Sequence, residues 1–204
     1  GSGIRGFANG ARDVAQFGEC SGIVADGFGN IFLTDYDNLR VRKISASGEV
    51  TTVAGNGARE MIDGRPEDAA FFSPVGIVID KGGNLFVADW NRIRKISPAG
   101  VVSTFVGSNL FGTTDGDASV ATFRLIADMV IDEQENIYVE DDDRIRKITP
   151  AGEVSTIAGS TKGYLDGNGR SAKFNGAVGL GIDQQGNLYV ADANNNRIRE
   201  VSFK

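Results

Sequence analysis

The chain has 204 residues, with 21 basic and 27 acidic side chains and a net charge of −6, a balance that disfavours a nucleic-acid partner. It contains no histidine and one cysteine, Cys20, which excludes Ser/His/Asp and Cys/His catalysis, histidine-rich zinc sites and an internal disulfide. No apolar run reaches the roughly 18 to 20 residues that cross a bilayer, so we expect no membrane insertion.

An asparagine in a tight turn returns four times along the chain, with a period of about 50 residues. These turn asparagines are Asn30, Asn84, Asn136 and Asn187. An aspartate stands four residues before each of them, at Asp26, Asp80, Asp132 and Asp183. Because Asp often accepts hydrogen bonds within its own turn, we expect these carboxylates to shape turns and not to form a ring of ligands.

Four short runs fill each repeat, and we name them strands a, b, c and d in chain order. Strand a ends at the turn aspartate, and strand b follows at 31–35, 85–89, 137–141 and 188–192. Strand c carries an Arg-x-Arg pattern at 40–44, 92–96, 144–148 and 197–201. Strand d appears three times, at 49–55, 101–107 and 153–159. Short apolar runs separated by turn residues predict an antiparallel meander in each repeat.

The long connection from strand d to the next strand a also repeats. A turn dipeptide ending in Gly is followed by an alanine and then by a phenylalanine, which is Phe17, Phe71, Phe123 or Phe174. We interpret this recurrent phenylalanine as an apolar plug between adjacent sheets. Glycines in strand a, such as Gly22, suit a crowded inner strand.

The repeat predicts an all-β chain, a β-propeller of four four-stranded blades in which the last blade lacks its outer strand. We expect one domain, 1–204, with units at about 1–55, 56–107, 108–159 and 160–204. Three arrangements remain open: an open arc or part of a larger ring, a closed four-bladed ring, or copies that complete one another as a homo-oligomer through the unpaired edge.

Because neighbouring strands of an antiparallel meander run in opposite directions, the b/c turns and the d/a connections lie on the same rim. The b/c turn residues on this rim differ from repeat to repeat. This variable rim supplies the candidate ligand contacts: Tyr36, Asp37, Trp90, Asn91, Asp142, Asp143, Asn194 and Asn195. Trp90 is the only tryptophan. It is expected either to form a contact platform or to fold back onto a neighbouring loop.

Two charged patterns have a chemical and a structural interpretation. Glu140, Asp142 and Asp143 are candidate ligands for Ca²⁺, which prefers oxygen ligands; no other cofactor is expected. Asp141, between them, occupies the position of Asp35, Asp89 and Asp192, so it is expected to cap the hairpin or pair with an arginine.

The strand c arginines, one per repeat, favour structural ion pairs over an anion site. They are Arg42, Arg94, Arg146 and Arg199.

The runs GIVIDKGGNLFVADWNRIRKISPAGVVSTFVG and Gly163 to Val201 resemble NHL-repeat proteins of the long-repeat bacterial kind. The resemblance implies a propeller, commonly of six blades, that serves mostly as an interaction module, with a minority of hydrolases, lactonases or lyases among propeller relatives. The histidine common before the strand c arginine is replaced here by Leu39, Asn91, Asp143 and Asn196. The resemblance favours a secreted or periplasmic location, although the sequence shows no signal peptide.

The leading hypothesis is therefore a non-enzymatic module that binds a protein or a glycan through the variable rim. A calcium-dependent hydrolase or lactonase of propeller type is the alternative within the enzymes. A third possibility is a structural repeat fragment, or an engineered propeller, that assembles through its open edge.

Overall fold

The computed structural model describes residues 1–203 and contains four antiparallel sheets. Sheet 1 consists of β1 (Cys20–Ala25), β2 (Ile31–Asp35), β3 (Arg40–Ile44) and β4 (Val50–Ala54). Sheet 2 consists of β5 (Pro74–Ile79), β6 (Leu85–Asp89), β7 (Arg92–Ile96) and β8 (Val102–Val106). In both sheets the strands are neighbours in chain order.

The second half of the chain repeats this plan. Sheet 3 consists of β9 (Ile126–Ile131), β10 (Ile137–Asp141), β11 (Arg144–Ile148) and β12 (Val154–Gly159). Sheet 4 has three strands, β13 (Ala177–Ile182), β14 (Leu188–Asp192) and β15 (Arg197–Val201). Short 3-10 turns occur at Gly169–Ser171 and Ala193–Asn195. The predicted meanders, including the three-stranded fourth sheet, are confirmed. No helix among residues 1–203 has the length and hydropathy of a membrane span.

Strands b and c pair without a register shift in every sheet, around a turn of four residues in sheets 1 and 4 and of two residues in sheets 2 and 3. In sheet 2 the pairing runs from Leu85 opposite Ile96 to Asp89 opposite Arg92. One residue of each b/c turn takes a left-handed backbone conformation, with φ between 53° and 64°. These residues are Leu39, Trp90, Asp142 and Asn196. A tight turn of this hand fits the twist of the flanking strands.

The chain divides into two compact units, Gly1–Thr104 and Phe105–Lys204. In the first unit, sheet 1 packs on sheet 2 through a buried cluster that includes Val41, Phe71 and Val87. The inner strands approach closely, because a Cβ on Gly22 would lie 2.3 Å from the carbonyl oxygen of Val75. The predicted roles of the recurrent phenylalanine and of the inner-strand glycine are confirmed here.

In the second unit, sheet 3 packs on sheet 4 in the same way. Ile145 and Phe174 lie in one buried cluster with Leu188 and Val190. Each unit is therefore a pair of blades stacked face to face, with side chains from both sheets and from the long connection filling the space between them.

A buried arginine from the third strand of each sheet holds the long connection in place. In sheet 2, Arg94 bonds the carboxylate of Asp89 at 3.0 Å and that of Asp63 at 2.6 Å, and it donates to the carbonyl oxygen of Ile62. Its guanidinium carbon lies 5.3 Å from the centroid of the Phe71 ring. The equivalent arginines are Arg42, Arg146 and Arg199. The predicted structural ion pairs are thus confirmed, and these charges are occupied within the fold.

The turn aspartates also serve the fold. The Asp26 carboxylate accepts hydrogen bonds from the backbone N of Phe28 and of Asn30 and from the Asn30 side chain, at 2.6 to 2.9 Å. Its pKa is lowered, chiefly by the Asn30 side chain. Equivalent turn bonds occur at Asp80, Asp132 and Asp183. The expectation of turn-forming carboxylates is confirmed.

Candidate functional site: a variable rim built on a constant network

In each unit, the candidate site is the end of the two sheets that is formed by the b/c turns and by the connection residues just before each strand a. We call this end of either unit the b/c rim. Its turns are 36–39 and 90–91 in the first unit, and 142–143 and 193–196 in the second. At this rim the last aspartate of strand b bonds the backbone before strand a. In sheet 2, Asp89 accepts from the backbone N of Phe72 and Ser73 at 2.9 and 2.7 Å.

This constant bond brings the connection and the b/c turn close together in each sheet, and in sheets 2, 3 and 4 one variable side chain from each of them is in contact. We call them the rim pair. In sheet 2 the rim pair is Phe72 and Trp90, whose rings meet edge to face with centroids 4.6 Å apart. The guanidinium carbon of Arg59 lies over the Phe72 ring, 5.6 Å from its centroid, and Arg59 also donates a hydrogen bond to the Phe72 carbonyl oxygen. Trp90 is half-buried, so it combines a contact with a neighbouring loop and an accessible surface.

In sheet 1 the corresponding contact involves Gly18 and Asp37, since a Cβ on Gly18 would lie 2.4 Å from the Asp37 Cβ. Asp37 is exposed, bonds Arg5 at 2.7 Å and accepts from the backbone N of Glu19. The hydrogen bond from Glu19 is the largest cause of the lowered pKa of Asp37. Tyr36 is half-buried beside it in the sequence. This part of the rim is therefore charged and hydrogen-bonded.

The second unit carries different rim pairs at the same positions. In sheet 3 the pair is ionic, with Arg124 and Asp142 3.2 Å apart and both substantially exposed. In sheet 4 it is an amide pair, in which the side chain of Asn194 donates to that of Asn175 at 3.3 Å. One structural position thus holds an aromatic, an ionic and an amide pair in successive sheets, which is how a constant scaffold presents different chemistry.

Three predicted contact residues are tied into the fold. Asn91 is 2% exposed and Asp143 is 8% exposed, and Asp143 accepts from the backbone N of Gly176. Asn195 donates to Asp192 and to the carbonyl oxygen of Gly163, both at 2.9 Å. These bonds reproduce those of Asn38 in sheet 1. Asn91 and Asp143 are therefore enclosed by the fold, and the side-chain nitrogen of Asn195 is engaged in two hydrogen bonds within it.

Two of the three proposed calcium ligands, Glu140 and Asp143, are buried, and only Asp142 is open to solvent as expected. Glu140 is only 2% exposed, and its Oε2 atom has no hydrogen-bond partner. Burial raises its pKa to about 9, with the charges of Asp141, Asp142 and Asp143 adding to the effect. Asp141 is fully buried against Arg146 at 2.7 Å. Within residues 1–203 no three His, Cys, Asp or Glu side chains converge to hold a metal ion.

Sequence reasoning missed the connection half of the rim. Phe72, Arg124 and Asn175 each follow the recurrent phenylalanine directly, at 71, 123 and 174. The variable residue directly after the constant phenylalanine could have indicated this half of the rim. The constant phenylalanine, however, indicated only packing between the sheets. The burial of Glu140 had no comparable signal, because the equivalent positions hold Thr34, Ala88 and Ala191.

Comparisons with known protein families agree with this architecture. Residues 62–123 match the model of the Teneurin NHL domain, and residues 174–200 match the NHL repeat. The chain is 29% identical over 210 residues to Teneurin-3 of Danio rerio, a match that covers 85% of the chain and 8% of that protein. The chain thus corresponds to a small part of this relative.

Solved structures share the fold at low sequence identity. An auxiliary nutrient binding protein from Bacteroides thetaiotaomicron superposes with a TM-score of 0.74 at 20% identity, covering 92% of this chain and 49% of that one. A chain of the Nidogen/Laminin complex gives 0.62 at 19% identity, covering 91% and 60%. A streptogramin B lyase structure gives 0.55 at 16% identity, covering 88% and 53%. These matches show the β-propeller fold.

Proposed function

Because the chain belongs to the NHL-repeat β-propeller family, we propose that it is a non-enzymatic interaction module that binds a protein through the b/c rim. The observation that carries the proposal is the cluster of Arg59, Phe72 and Trp90 in the first unit. Tryptophan and arginine are enriched among the residues that dominate binding energy at protein interfaces. An aromatic pair loses little conformational entropy when a partner docks if its backbone is already fixed, as the bonds of Asp89 fix the connection that carries Phe72.

The relatives support a role in protein contact without identifying the partner. One of the structures that share the fold is a complex of nidogen with laminin. Another is a lyase, so the fold alone does not exclude catalysis. What favours binding here is the chemistry of the rim: Asp89, Asp141 and Asp192 are fully buried in structural bonds with strand c arginines.

The test is quantitative capture of partners from the secretome or periplasm by the immobilised chain, followed by titration of the purified partner. A Trp90→Ser, Arg59→Ser double variant should lose the partner, with Kd raised about 30-fold or more, because two hot-spot residues cost at least about 2 kcal/mol together. Since Trp90 is the only tryptophan, its fluorescence should also change on binding to the wild-type chain.

The matched control is Arg12→Ser, which removes an exposed arginine beside Gly48 of the c/d turn, away from the b/c rim, and should leave the Kd unchanged. A partner that binds the wild type and the double variant equally would overturn the proposal. If the immobilised chain retains a glycan and no protein, and the double variant does not retain that glycan, the rim is the binding surface but the proposed protein partner is wrong.

A second proposal concerns copies of this chain. Ile198 of β15 is 71% exposed, whereas Val41 and Ile145, at the same position in β3 and β11, are fully buried against the neighbouring sheet of their unit. Ile23 of β1 is 68% exposed, whereas its equivalent Ile77 is 5% exposed. We propose that the Ile198 face of one copy packs on the Ile23 face of another, in the manner of two stacked blades.

A further inference from the structure

The outer edge of sheet 4 is open, because β15 pairs only with β14 in the part of the chain that the structure describes. A groove of about 570 Å³ lies beside this edge and is lined by the end of β15 and by the connection residues 166–169. We propose that the groove binds an extended segment of another polypeptide, which pairs with β15 as a fourth strand. In this segment a valine is followed by a basic residue and then by a threonine.

The other three sheets show what fits here, because each of them holds a fourth strand at the equivalent position. These strands, β4, β8 and β12, begin with a valine, which is Val50, Val102 or Val154. Two residues later each has a threonine, which is Thr52, Thr104 or Thr156. In sheet 3 this threonine lies opposite Arg146, whose equivalent in β15 is Arg199. The position of Arg199 therefore sets the register of an added strand.

The first contact is an apolar pocket for the valine. In the first unit, Val102 is 1% exposed. It belongs to a buried cluster with two alanines and a phenylalanine, which are Ala54, Ala69 and Phe71. The equivalent residues of the second unit all line the groove, and they are Ala158, Ala172 and Phe174. The valine of an added strand would therefore pack against the same three side chains as Val102 does.

The second contact is the backbone of Gly167 in the connection. In sheets 1 to 3 the equivalent glycine exchanges two backbone hydrogen bonds with the valine of the fourth strand, at 2.8 to 3.0 Å. These glycines are Gly10, Gly64 and Gly116. The backbone of Gly167 forms no hydrogen bond with the described chain, which ends at residue 203. An added strand would form the same two bonds with it.

The third contact is the carboxylate of Asp166, which can recognise the threonine. In sheet 3 the equivalent Asp115 accepts a hydrogen bond from the hydroxyl of Thr156 at 2.9 Å, and sheet 2 has the same bond. Asp166 binds Arg199 and accepts from the hydroxyl of Tyr164 at 3.2 Å. However, 75% of its side chain is exposed, compared with 25% for Asp115. Because each carboxylate oxygen can accept more than one hydrogen bond, Asp166 can also accept one from a threonine.

The fourth contact distinguishes sheet 4 from the other sheets. β15 carries an exposed glutamate, Glu200, where the other third strands carry Lys43, Lys95 and Lys147. In sheet 3, Lys147 lies opposite Ser155, the residue between the valine and the threonine. The same residue of an added strand would lie opposite Glu200, and side chains directly opposite on antiparallel strands interact on one face of the sheet. A lysine or arginine at this position would therefore form a favourable cross-strand ion pair.

The segment that fits all four contacts has the order valine, basic residue, threonine. A second copy of this chain fits less well, because its fourth strands are paired in their own sheets and carry no charge between the valine and the threonine. The residues there are Thr51, Ser103 and Ser155. Extended segments bind a free sheet edge through backbone hydrogen bonds, and their side chains provide the specificity.

The test uses labelled synthetic peptides and fluorescence anisotropy. The probe is Gly-Glu-Val-Lys-Thr-Ile-Ala-Gly, which is the sequence of residues 152–159 with lysine in place of Ser155. It should bind the wild-type chain at one site and slow the hydrogen exchange of the β15 backbone. Aspartate in place of the peptide valine should raise the Kd at least about tenfold, because a charge would enter the apolar pocket. Alanine in place of the peptide threonine should raise it about three- to tenfold.

Charge reversal tests the position opposite Glu200. Glutamate in place of the peptide lysine should weaken binding to the wild type about two- to tenfold, and Glu200→Lys should reverse this preference. Because the other three sheets have lysine at this position, Glu200→Lys should retain the fold. The matched control is Glu67→Lys, which changes an exposed glutamate that does not line the groove and should leave the preference unchanged.

The proposal would be overturned by an absence of binding, by equal affinity for the valine and aspartate peptides, or by a charge preference that Glu200→Lys does not change. An affinity for the peptide that falls as the protein concentration rises would mean that a second copy fills the groove, and would also overturn it. The Trp90→Ser, Arg59→Ser double variant should bind the peptide as the wild type does, so this result is independent of binding at the b/c rim.

Discussion

At the scale of single residues, two ion pairs in the second unit show how burial decides what a charge contributes. Arg146 and Asp141 are 2.7 Å apart, and both side chains are fully buried. Arg124 and Asp142 are 3.2 Å apart, with 61% and 41% of their side chains exposed. Water screens the second pair but not the first, so the buried arginine is expected to be far more important for folding.

Replacing Arg146 by methionine should therefore destabilise the protein by about 3 to 5 kcal/mol, because it leaves the Asp141 carboxylate buried without a cation. Arg124→Met should cost less than about 1 kcal/mol. Urea unfolding followed by circular dichroism measures both values. Equal effects of the two substitutions would show that the buried network does not hold the connection as the structure indicates.

Glu140 should make stability depend on pH. Burial raises its pKa to about 9, whereas in the unfolded chain a glutamate titrates near its usual value of about 4.3. Between these two pH values the folded protein binds a proton that the unfolded chain releases, so stability falls as pH rises through the window. Glu140→Gln keeps the shape, removes the ionisation and should stabilise the protein by about 1 to 3 kcal/mol at pH 8.

The comparison for Glu140→Gln is its behaviour at pH 4, where the wild-type glutamate is mostly protonated in the unfolded as well as the folded state, so that the gain should largely disappear. Glu153→Gln, which alters an exposed carboxyl, is the control at both pH values. A Glu140→Gln gain that is the same at pH 4 and pH 8 would contradict the ionisation argument and indicate better packing instead.

At the scale of elements, the rim pair is separable from the hairpin that carries it. Phe72→Arg with Trp90→Asp transplants the ionic pair of sheet 3 into sheet 2, and aspartate tolerates the left-handed backbone at position 90. Losing the edge-to-face contact should cost about 0.5 to 1.5 kcal/mol. Thermal unfolding should show a folded, slightly less stable protein; a collapse of the fold would mean that the aromatic pair is part of the core.

The strands and their pairing were predictable because the same pattern of strand and turn residues recurs in every repeat. Asp26 and Asn30 recur four residues apart, and this pattern identifies the a/b turn. The contacts of the rim were less predictable, since the partner of Trp90 is Phe72, which belongs to a connection without regular strand alternation. The spacing of the repeats gives the positions of the turns in the sequence. The contact between Phe72 and Trp90 follows only from the hydrogen bonds of Asp89 to the connection.

At the scale of the whole molecule, constant and variable positions have separate roles. Four buried arginines repeat the same bonds to the long connection, while the rim pairs change from sheet to sheet. Stability therefore derives from repeated local networks, as in other repeat proteins. The proposed function places recognition at these variable positions, so substitutions there should alter binding with little effect on folding.

Self-association belongs to this same scale. If the faces that carry Ile23 and Ile198 pack between copies, the mass measured by light scattering should rise with protein concentration. Ile198→Lys should keep the chain monomeric, because a charge on that face would be buried without a partner in the assembly. Val120→Lys, at an exposed valine outside the sheet faces, should associate like the wild type. A monomeric mass at all concentrations, or association that persists in Ile198→Lys, would rule out this mode of packing.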